Sequence, residues 1–503
     1  MASEQISSPY DLCIIGGGIN GVGIARDAAG RGLRVLVCEQ HDLASATSSA
    51  SSKLIHGGLR YLEQYEFRLV REALSERETL LNIAPHLVQP IRFVLPHEPH
   101  LRPAWMIRCG LFLYDHLAKR SDRLPGSHAI KLERDNDYGQ ALKSQFTKGF
   151  IYSDCQVDDS RLVVLNAMSA SQLGATILTR SRCAEINHDG KIWSVRIEQD
   201  DGSSQVVQAK ILVNAAGPWV AQIETLLRKP DSGNKLRLVK GSHIVVPKFY
   251  PGDHAYILQN KDKRIVFATP YRDDFAMIGT TDVDYIGDPN QVGISEDEID
   301  YLLSLINAYF NQPLSRDDVV STWSGVRPLY NDNTGTASAV TRDYVFDLSG
   351  GNGQQPVLLS IYGGKITTYR RLAEHALEKL APFTGKSKGW TSTQKLPGGA
   401  IDTPDSYAQQ LIQQYGWLSP ALALRYAKAY GNLANAFLSA NLSEMGTNFG
   451  HDLYASEVNW LIEQEWAQTT DDILWRRTRL GLLFDAQQTE QLALYLKQHI
   501  KQS

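Results

Sequence analysis

Gly16-Gly17-Gly18-Ile19-Asn20-Gly21 stands directly after the apolar run Asp11–Ile15 and before a helix-forming stretch. Glycines at 16, 18 and 21 allow a tight turn, close approach of a pyrophosphate and close packing of helix on strand. The phosphates then meet the unpaired N–H groups and positive dipole end of the helix. A second apolar strand, Leu33–Cys38, ends in Glu39, at the distance where a carboxylate accepts from a ribose 2′-OH and repels a 2′-phosphate. The pattern calls for a dinucleotide and disfavours NADP, but it does not separate FAD from NAD. An ordinary strand-turn-helix that binds nothing is the competing reading.

Further along, Asp42–Ser52 is crowded with Ser, Ala and Thr, and runs into Lys53-Leu-Ile-His56-Gly57-Gly58-Leu59-Arg60-Tyr61. The Ser-rich half, with Thr47 and Ser48, offers hydroxyls and amides to a ligand, and a plain flexible loop would look the same. Two glycines among His, Arg and Tyr are harder to explain as linker. Ile211-Leu-Val-Asn-Ala-Ala216-Gly217 is an apolar strand ending in small residues, which admits a nucleotide at close range; a buried strand with a tight exit is equally consistent. Val357–Tyr362 leads into Gly363-Gly364-Lys365-Ile366-Thr367-Thr368, a second glycine-rich turn able to aim its amides at a ligand.

These motifs need a framework. The stretch from Cys183 to Val213 alternates and turns at two Asp-Gly pairs, 189–190 and 201–202, which reads as a three-stranded antiparallel meander. Short strands at 236–239, 243–246, 255–258, 264–269 and 275–280 imply a second, antiparallel sheet. Helical patterning returns at 296–310 and 370–380. After Lys395-Leu-Pro-Gly-Gly-Ala400 only short amphipathic helices follow, such as 407–415 and 420–430. The expected fold is α/β: a discontinuous Rossmann-type unit over 10–78, 150–222 and 345–388, an antiparallel-sheet substrate unit over 79–149 and 223–344, and an all-α domain over 389–503.

Composition narrows the function. A length of 503 residues suggests about three domains. A net charge of −4 with no dense basic tract gives no footprint for nucleic acid. Cys13, Cys38, Cys109, Cys155 and Cys183 are odd in number and form no CxxC pair, which fits a reducing compartment better than a disulfide framework. No metal site is expected. The polar start MASEQISSPY lacks the pattern of a signal peptide, and no apolar run reaches the length of a membrane span. The expected location is cytoplasmic, on or off the inner face of the cell membrane.

The run Ile15–Gly32, the run Ser48–Tyr61 and the block Gly363-Gly-Lys-Ile-Thr-Thr-Tyr-Arg-Arg-Leu-Ala373 closely resemble the FAD-dependent glycerol-3-phosphate dehydrogenase family, in particular its bacterial respiratory members. Lys240-Gly-Ser-His243, Gly279-Thr-Thr-Asp282, Ser324-Gly-Val-Arg327 and Thr341-Arg342-Asp343 look like family blocks in the family's order, so the resemblance covers the whole chain. It implies FAD rather than NAD, a glycine-oxidase-like fold, and oxidation of sn-glycerol 3-phosphate to dihydroxyacetone phosphate with electrons passing to membrane quinone. Such a reaction requires a base, a stabiliser of developing alkoxide charge, and cations for a phosphate. Arg327 and Arg342 are expected at the phosphate, Arg60 nearer the reacting end, and Lys365 beside the flavin. His243 and His56 are the candidate bases, with His243 preferred for its place in the Lys-Gly-Ser-His block.

Three alternatives stand beside this reading. An amine or amino-acid oxidase would clamp a carboxylate with one Arg, and a glycerol-3-phosphate oxidase would use oxygen. A flavin-binding scaffold would recruit partners without turnover. Oligomeric state is left open, a homodimer included. Finally, Leu101–Arg120 is apolar, carries Trp105 and Tyr114, and is framed by Arg102, Arg108, Lys119 and Arg120. It is too short and too charged to span, but it suits an anionic membrane surface; an internal helix is the competing reading.

Overall fold

Leu12 and Ile14 face one side of the Tyr10–Ile15 strand and Cys13 and Ile15 the other, and all four are buried. A strand buried on both faces belongs in the middle of a parallel sheet. In the computed structural model, which describes residues 8–98, 102–227, 235–260, 262, 264–331 and 343–500 (residues 60, 63 and 64 in their backbone only), that is where it lies. It pairs in parallel with Val35–Cys38 on one side and Ser204–Asn214 on the other. Val357–Tyr362 and Thr176–Leu178 extend the parallel order outward, and Val345–Ser349 closes one edge antiparallel. Helices Ile19–Gly30, Asp159–Gln172 and Tyr369–Thr384 cover the Leu12 face. The expected meander, formed by Ser181–His188, Trp193–Gln199 and Ser204–Asn214, covers the Cys13 face. Its Trp193 is fully buried, and the indole N–H donates to the Val357 carbonyl at 2.8 Å.

Among the described residues the second sheet has ten strands. Leu236–Pro247 is one continuous strand where the sequence pattern suggests two, and it pairs antiparallel with Phe275–Gly279, Val283–Asp284 and Ser321–Tyr330. Helix Glu296–Tyr309, opened by a capping box between Ser295 and Glu298, packs Leu302, Leu305 and Ile306 on one face. The other face turns Val245, Tyr271 and Met277 toward Trp323 and Leu482. Leu54–Ile55 and Lys148–Val157 are hydrogen-bonded into this sheet, although boundaries at residues 78 and 150 assign them to the first unit. The cause is the long ladder between Lys148–Val157 and Val88–Pro96, a pairing between distant segments that no local signal announces.

Helices Pro404–Gln414, Pro420–Tyr430, Ala455–Glu465 and Ala486–His499 build their own core around Leu411, Tyr426, Phe449 and Leu461. This domain is fastened to the first by ion pairs: Arg161 with Glu465, Arg180 with Asp472 at 2.6 Å, and Arg477 with Asp42 at 2.8 Å. Arg161, Glu465, Arg477 and Asp42 are all essentially without solvent exposure. Removing one member of such a pair strands the other's charge, so the seam is costly to open.

Candidate active site

A groove of about 1270 Å³, counting its open mouth, runs along the carboxyl ends of the parallel strands, where open α/β sheets bind their ligands. The first turn forms its floor. A Cβ on Gly21 would lie 1.9 Å from the Gly16 carbonyl oxygen, and one on Gly16 (φ 113°) would lie 2.5 Å from that of Ala215. Only glycine fits either position. Glu39 lines the groove as expected. Its carboxylate accepts from the Gly17 amide at 2.7 Å and the His41 amide at 2.8 Å. Burial pushes its pKa up, and the two amides pull it back. Each oxygen keeps capacity for a further donor, as a ribose hydroxyl requires.

Most of the other predicted groove residues converge here, while Gly21, Lys365 and Thr367 stand outside its lining. Gly18, Asn20, Thr47, Ser48, Ala216, Gly217, Gly363 and Gly364 all line it. Ser48 Oγ accepts from the Ile19 amide at 3.0 Å, beside the helix N-terminus, and Thr47 Oγ1 donates to the Val326 carbonyl at 2.6 Å. Asn20 Nδ2 donates to the Gly363 carbonyl at 3.1 Å, which ties the first glycine turn to the second. Buried Asn20 Oδ1 accepts no hydrogen bond from the described residues. This cradle of small residues, aimed amides and an acid at the second strand's end fits FAD.

At one end of the groove the reactive side chains gather. The Gly363 amide donates to the Pro328 carbonyl at 2.7 Å, so Arg327 lies next to the Gly-Gly-Lys turn. Asp282 holds Arg327 at 2.5 Å, and Thr280 Oγ1 accepts from its guanidinium at 3.2 Å. The His56 amide donates to Thr367 Oγ1 at 3.3 Å, bringing that half-buried histidine to the same turn. Lys365 Nζ sits 4.0 Å from the centroid of the Tyr61 ring, a cation–π contact. His243 is 1% exposed. Its ring stacks on Trp323 (5.4 Å between centroids, 20° between planes), and its Nε2 is 2.9 Å from Ser52 Oγ. Burial, with Arg327 and Lys53 nearby, holds its pKa well below the ordinary range, so the ring is neutral. Arg60 is described in its backbone only, within the turn Leu59–Gln64, and Arg342 lies outside the described residues.

Gln40, Cys183, Trp219, Gln222 and Pro328 also line the groove and were not foreseen. Trp219 directly follows the Ala-Ala-Gly-Pro run, so a longer reading of that motif would reach it. Gln40 likewise directly follows Glu39, whereas Cys183 arrives through sheet topology. The Thr281 hydroxyl donates to Glu298 at 2.7 Å, in a network with Ser242. Among the described residues, no three His, Cys, Asp or Glu side chains are placed to hold a metal ion.

Fold and groove together define an FAD-binding oxidoreductase with a glycine-oxidase-like catalytic region and an added helical domain. Comparison with known proteins agrees. The model of the FAD dependent oxidoreductase family matches residues 11–370, and that of the C-terminal domain of alpha-glycerophosphate oxidase matches 389–499. The chain is 54% identical to a glycerol-3-phosphate dehydrogenase of Pseudomonas aeruginosa, over 98% of this chain and 96% of that one. It is 50% identical to a D-erythritol 1-phosphate dehydrogenase of Brucella abortus, covering 93% and 94%. The crystal structure of a Bacillus halodurans glycerol-3-phosphate dehydrogenase complexed with FAD superposes with a TM-score of 0.78 at 27% identity, covering 99% and 92%. The chain belongs to the FAD-dependent oxidoreductase family and, within it, to the group of glycerol-3-phosphate dehydrogenases.

Proposed function

We propose that the protein oxidises sn-glycerol 3-phosphate to dihydroxyacetone phosphate and passes the electrons to membrane quinone. The observation that carries this is the convergence of His56, Arg327 and Lys365, far apart in sequence, at the Gly363–Thr367 end of the FAD groove. FAD supplies the hydride acceptor. Arg327, oriented by Asp282, grips the phosphate, with Arg342 as a second cation and Arg60 nearer the carbinol. Lys365 stabilises the developing alkoxide. We assign proton abstraction to His56 rather than to His243. A base must reach the substrate hydroxyl within hydrogen-bond distance, and His243 is buried with its Nε2 engaged by Ser52.

Anaerobic addition of glycerol 3-phosphate should bleach the bound flavin, with unphosphorylated glycerol far slower. Faster bleaching by erythritol 1-phosphate would move the assignment to a longer polyol phosphate, and no bleaching by either would remove it. Reoxidation faster with a soluble quinone than with oxygen separates the dehydrogenase from an oxidase.

Attachment to a membrane surface is supported by helix Ala104–His116. Trp105 (67% exposed), Met106, Phe112 (55%) and Leu113 face solvent on it, and Tyr65 and Phe67 are exposed on the segment that follows the turn packed against it. This is not the internal helix of the competing reading. Arg120 is paired with Asp115, which offsets its charge, whereas Arg108 donates to the neutral Ser127 carbonyl and hydroxyl and keeps its own, so Arg108 joins Arg102 and Lys119 in the basic contribution to anionic lipid. No helix among the described residues is long and apolar enough to cross a membrane.

A further inference from the structure

One arginine of the helical domain, Arg479, reaches the segment beside His243. Arg479 follows the π-helical turn Asp472–Arg477 and has a φ of 56°, a left-handed conformation that a non-glycine residue adopts only when its surroundings hold it there. Its Nη2 lies 2.8 Å from Asp158 Oδ1 and 3.0 Å from Asp159 Oδ1. Asp159 is fully buried, and it also takes Lys53 Nζ at 2.8 Å and the Ser51 hydroxyl at 2.7 Å. Lys53, itself at a φ of 54°, donates to the Ser49 carbonyl at 2.8 Å, and its Nζ lies 4.9 Å from the Trp323 ring. Between Ser51 and Lys53 stands Ser52, the partner of His243.

A second route runs through aromatic rings. The Arg479 guanidinium lies 5.6 Å from the Tyr271 ring, Tyr271 lies 5.5 Å from Trp323, and Trp323 stacks on His243. The other end of the same segment is also held by the helical domain, because Asp42 accepts from Arg476 at 2.6 Å and from Arg477 at 2.8 Å. The stretch Asp42–Lys53, which carries Thr47 and Ser48 over the groove, is therefore tied down at both ends.

We propose that Arg479 is a positioning residue for the flavin site. Through Asp159 and Lys53 it fixes the Ser48–Ser52 segment and His243 behind it, which makes the C-terminal helical domain a working part of the oxidoreductase. The proposal rests on the reading of the groove as the FAD site. Arg180–Asp472 joins the same two domains without touching Asp159 or Lys53, and its link to the segment runs through Arg476 to the far end at Asp42, so it separates positioning at Ser51–Lys53 from mere docking.

The test compares full-length, FAD-loaded Arg479→Gln, Arg479→Lys and Arg180→Gln. Four quantities are read: flavin absorption spectrum, rate of FAD release, anaerobic reduction by glycerol 3-phosphate, and melting temperature. Arg479→Gln should release FAD several-fold faster, alter the flavin spectrum and slow reduction roughly tenfold with little change in KM, since small misplacements of a site are expensive. Arg479→Lys should restore part of each. Arg180→Gln should lower the melting temperature alone. Wild-type spectrum, release and reduction in Arg479→Gln would overturn the proposal, as would equal changes in Arg180→Gln. If Arg479→Gln does not fold, Arg479→Lys against Arg180→Gln decides in the same way. If glycerol 3-phosphate fails to reduce even the wild type, the proposed activity falls, while spectrum and FAD release still judge Arg479.

Discussion

His56→Asn keeps a hydrogen-bonding side chain of similar reach and removes the proton acceptor, so anaerobic flavin reduction should fall roughly 10²–10⁴-fold. His243→Asn should cost less, because its ring packs between Trp323 and Ser52 behind the groove. The reverse ranking in stopped-flow reduction would return the base role to His243. Arg327→Ala removes a charge-assisted contact of about 1.5–3 kcal/mol, so KM for the phosphate substrate should rise roughly 10–100-fold with an intact flavin spectrum. Turnover of glycerol itself should change little, and equal losses on both substrates would take Arg327 away from the phosphate. At this scale the sequence brings forward the candidate side chains but not their order of access. The sequence motifs bring both His56 and His243 forward and favour His243, whereas the burial that withdraws His243 comes from Trp323 and from a strand pairing across the sheet.

Helix Ala104–His116 shows what one element can add. Trp105 and Phe112 sit seven residues apart on its exposed side, two turns along the same face. The double replacement Trp105→Ser and Phe112→Ser should release the enzyme from anionic vesicles in a flotation assay while leaving turnover with a soluble dye acceptor unchanged. Lys119→Glu should weaken binding and make what remains less sensitive to salt, because the screened attraction of one cation is lost. Undiminished vesicle binding in the double variant would place the contact elsewhere. The segment's apolar character was legible in the sequence, and its exposure was not, because apolar residues occupy nearly every side of the helix and only Leu111 and Tyr114 are buried. The same contrast holds across the fold. The meander and the parallel strands follow from Asp-Gly turns and two-sided apolar runs, while Val88–Pro96 and Lys148–Val157 owe their place to each other.

At the scale of the whole molecule, the seam between the first domain and the helices carries a pH sensitivity. His86 is 1% exposed, and burial, with Arg161 and Lys395 nearby, lowers its pKa to about 3. In the unfolded chain the imidazole titrates near 6.5, so between these values the unfolded state binds more protons and stability rises with pH. Acidification from about 6.5 should therefore cost about 1.4 kcal/mol per pH unit from this site. Urea unfolding at pH 7 and pH 5 should show the loss in the wild type and a shallower one in His86→Gln; identical slopes would exclude His86. The groove has a further consequence, one of chain order. It draws on residues 15–48, 181–183, 215–226, 328 and 363–364. A nascent chain with only its first strand, turn and helix outside the ribosome displays the glycine fingerprint but no groove. The complete groove thus exists only once the chain has been made through Gly364, and because a ligand of the folded state alone shifts the folding balance by mass action, refolding in the presence of FAD should give a larger native fraction than refolding without it.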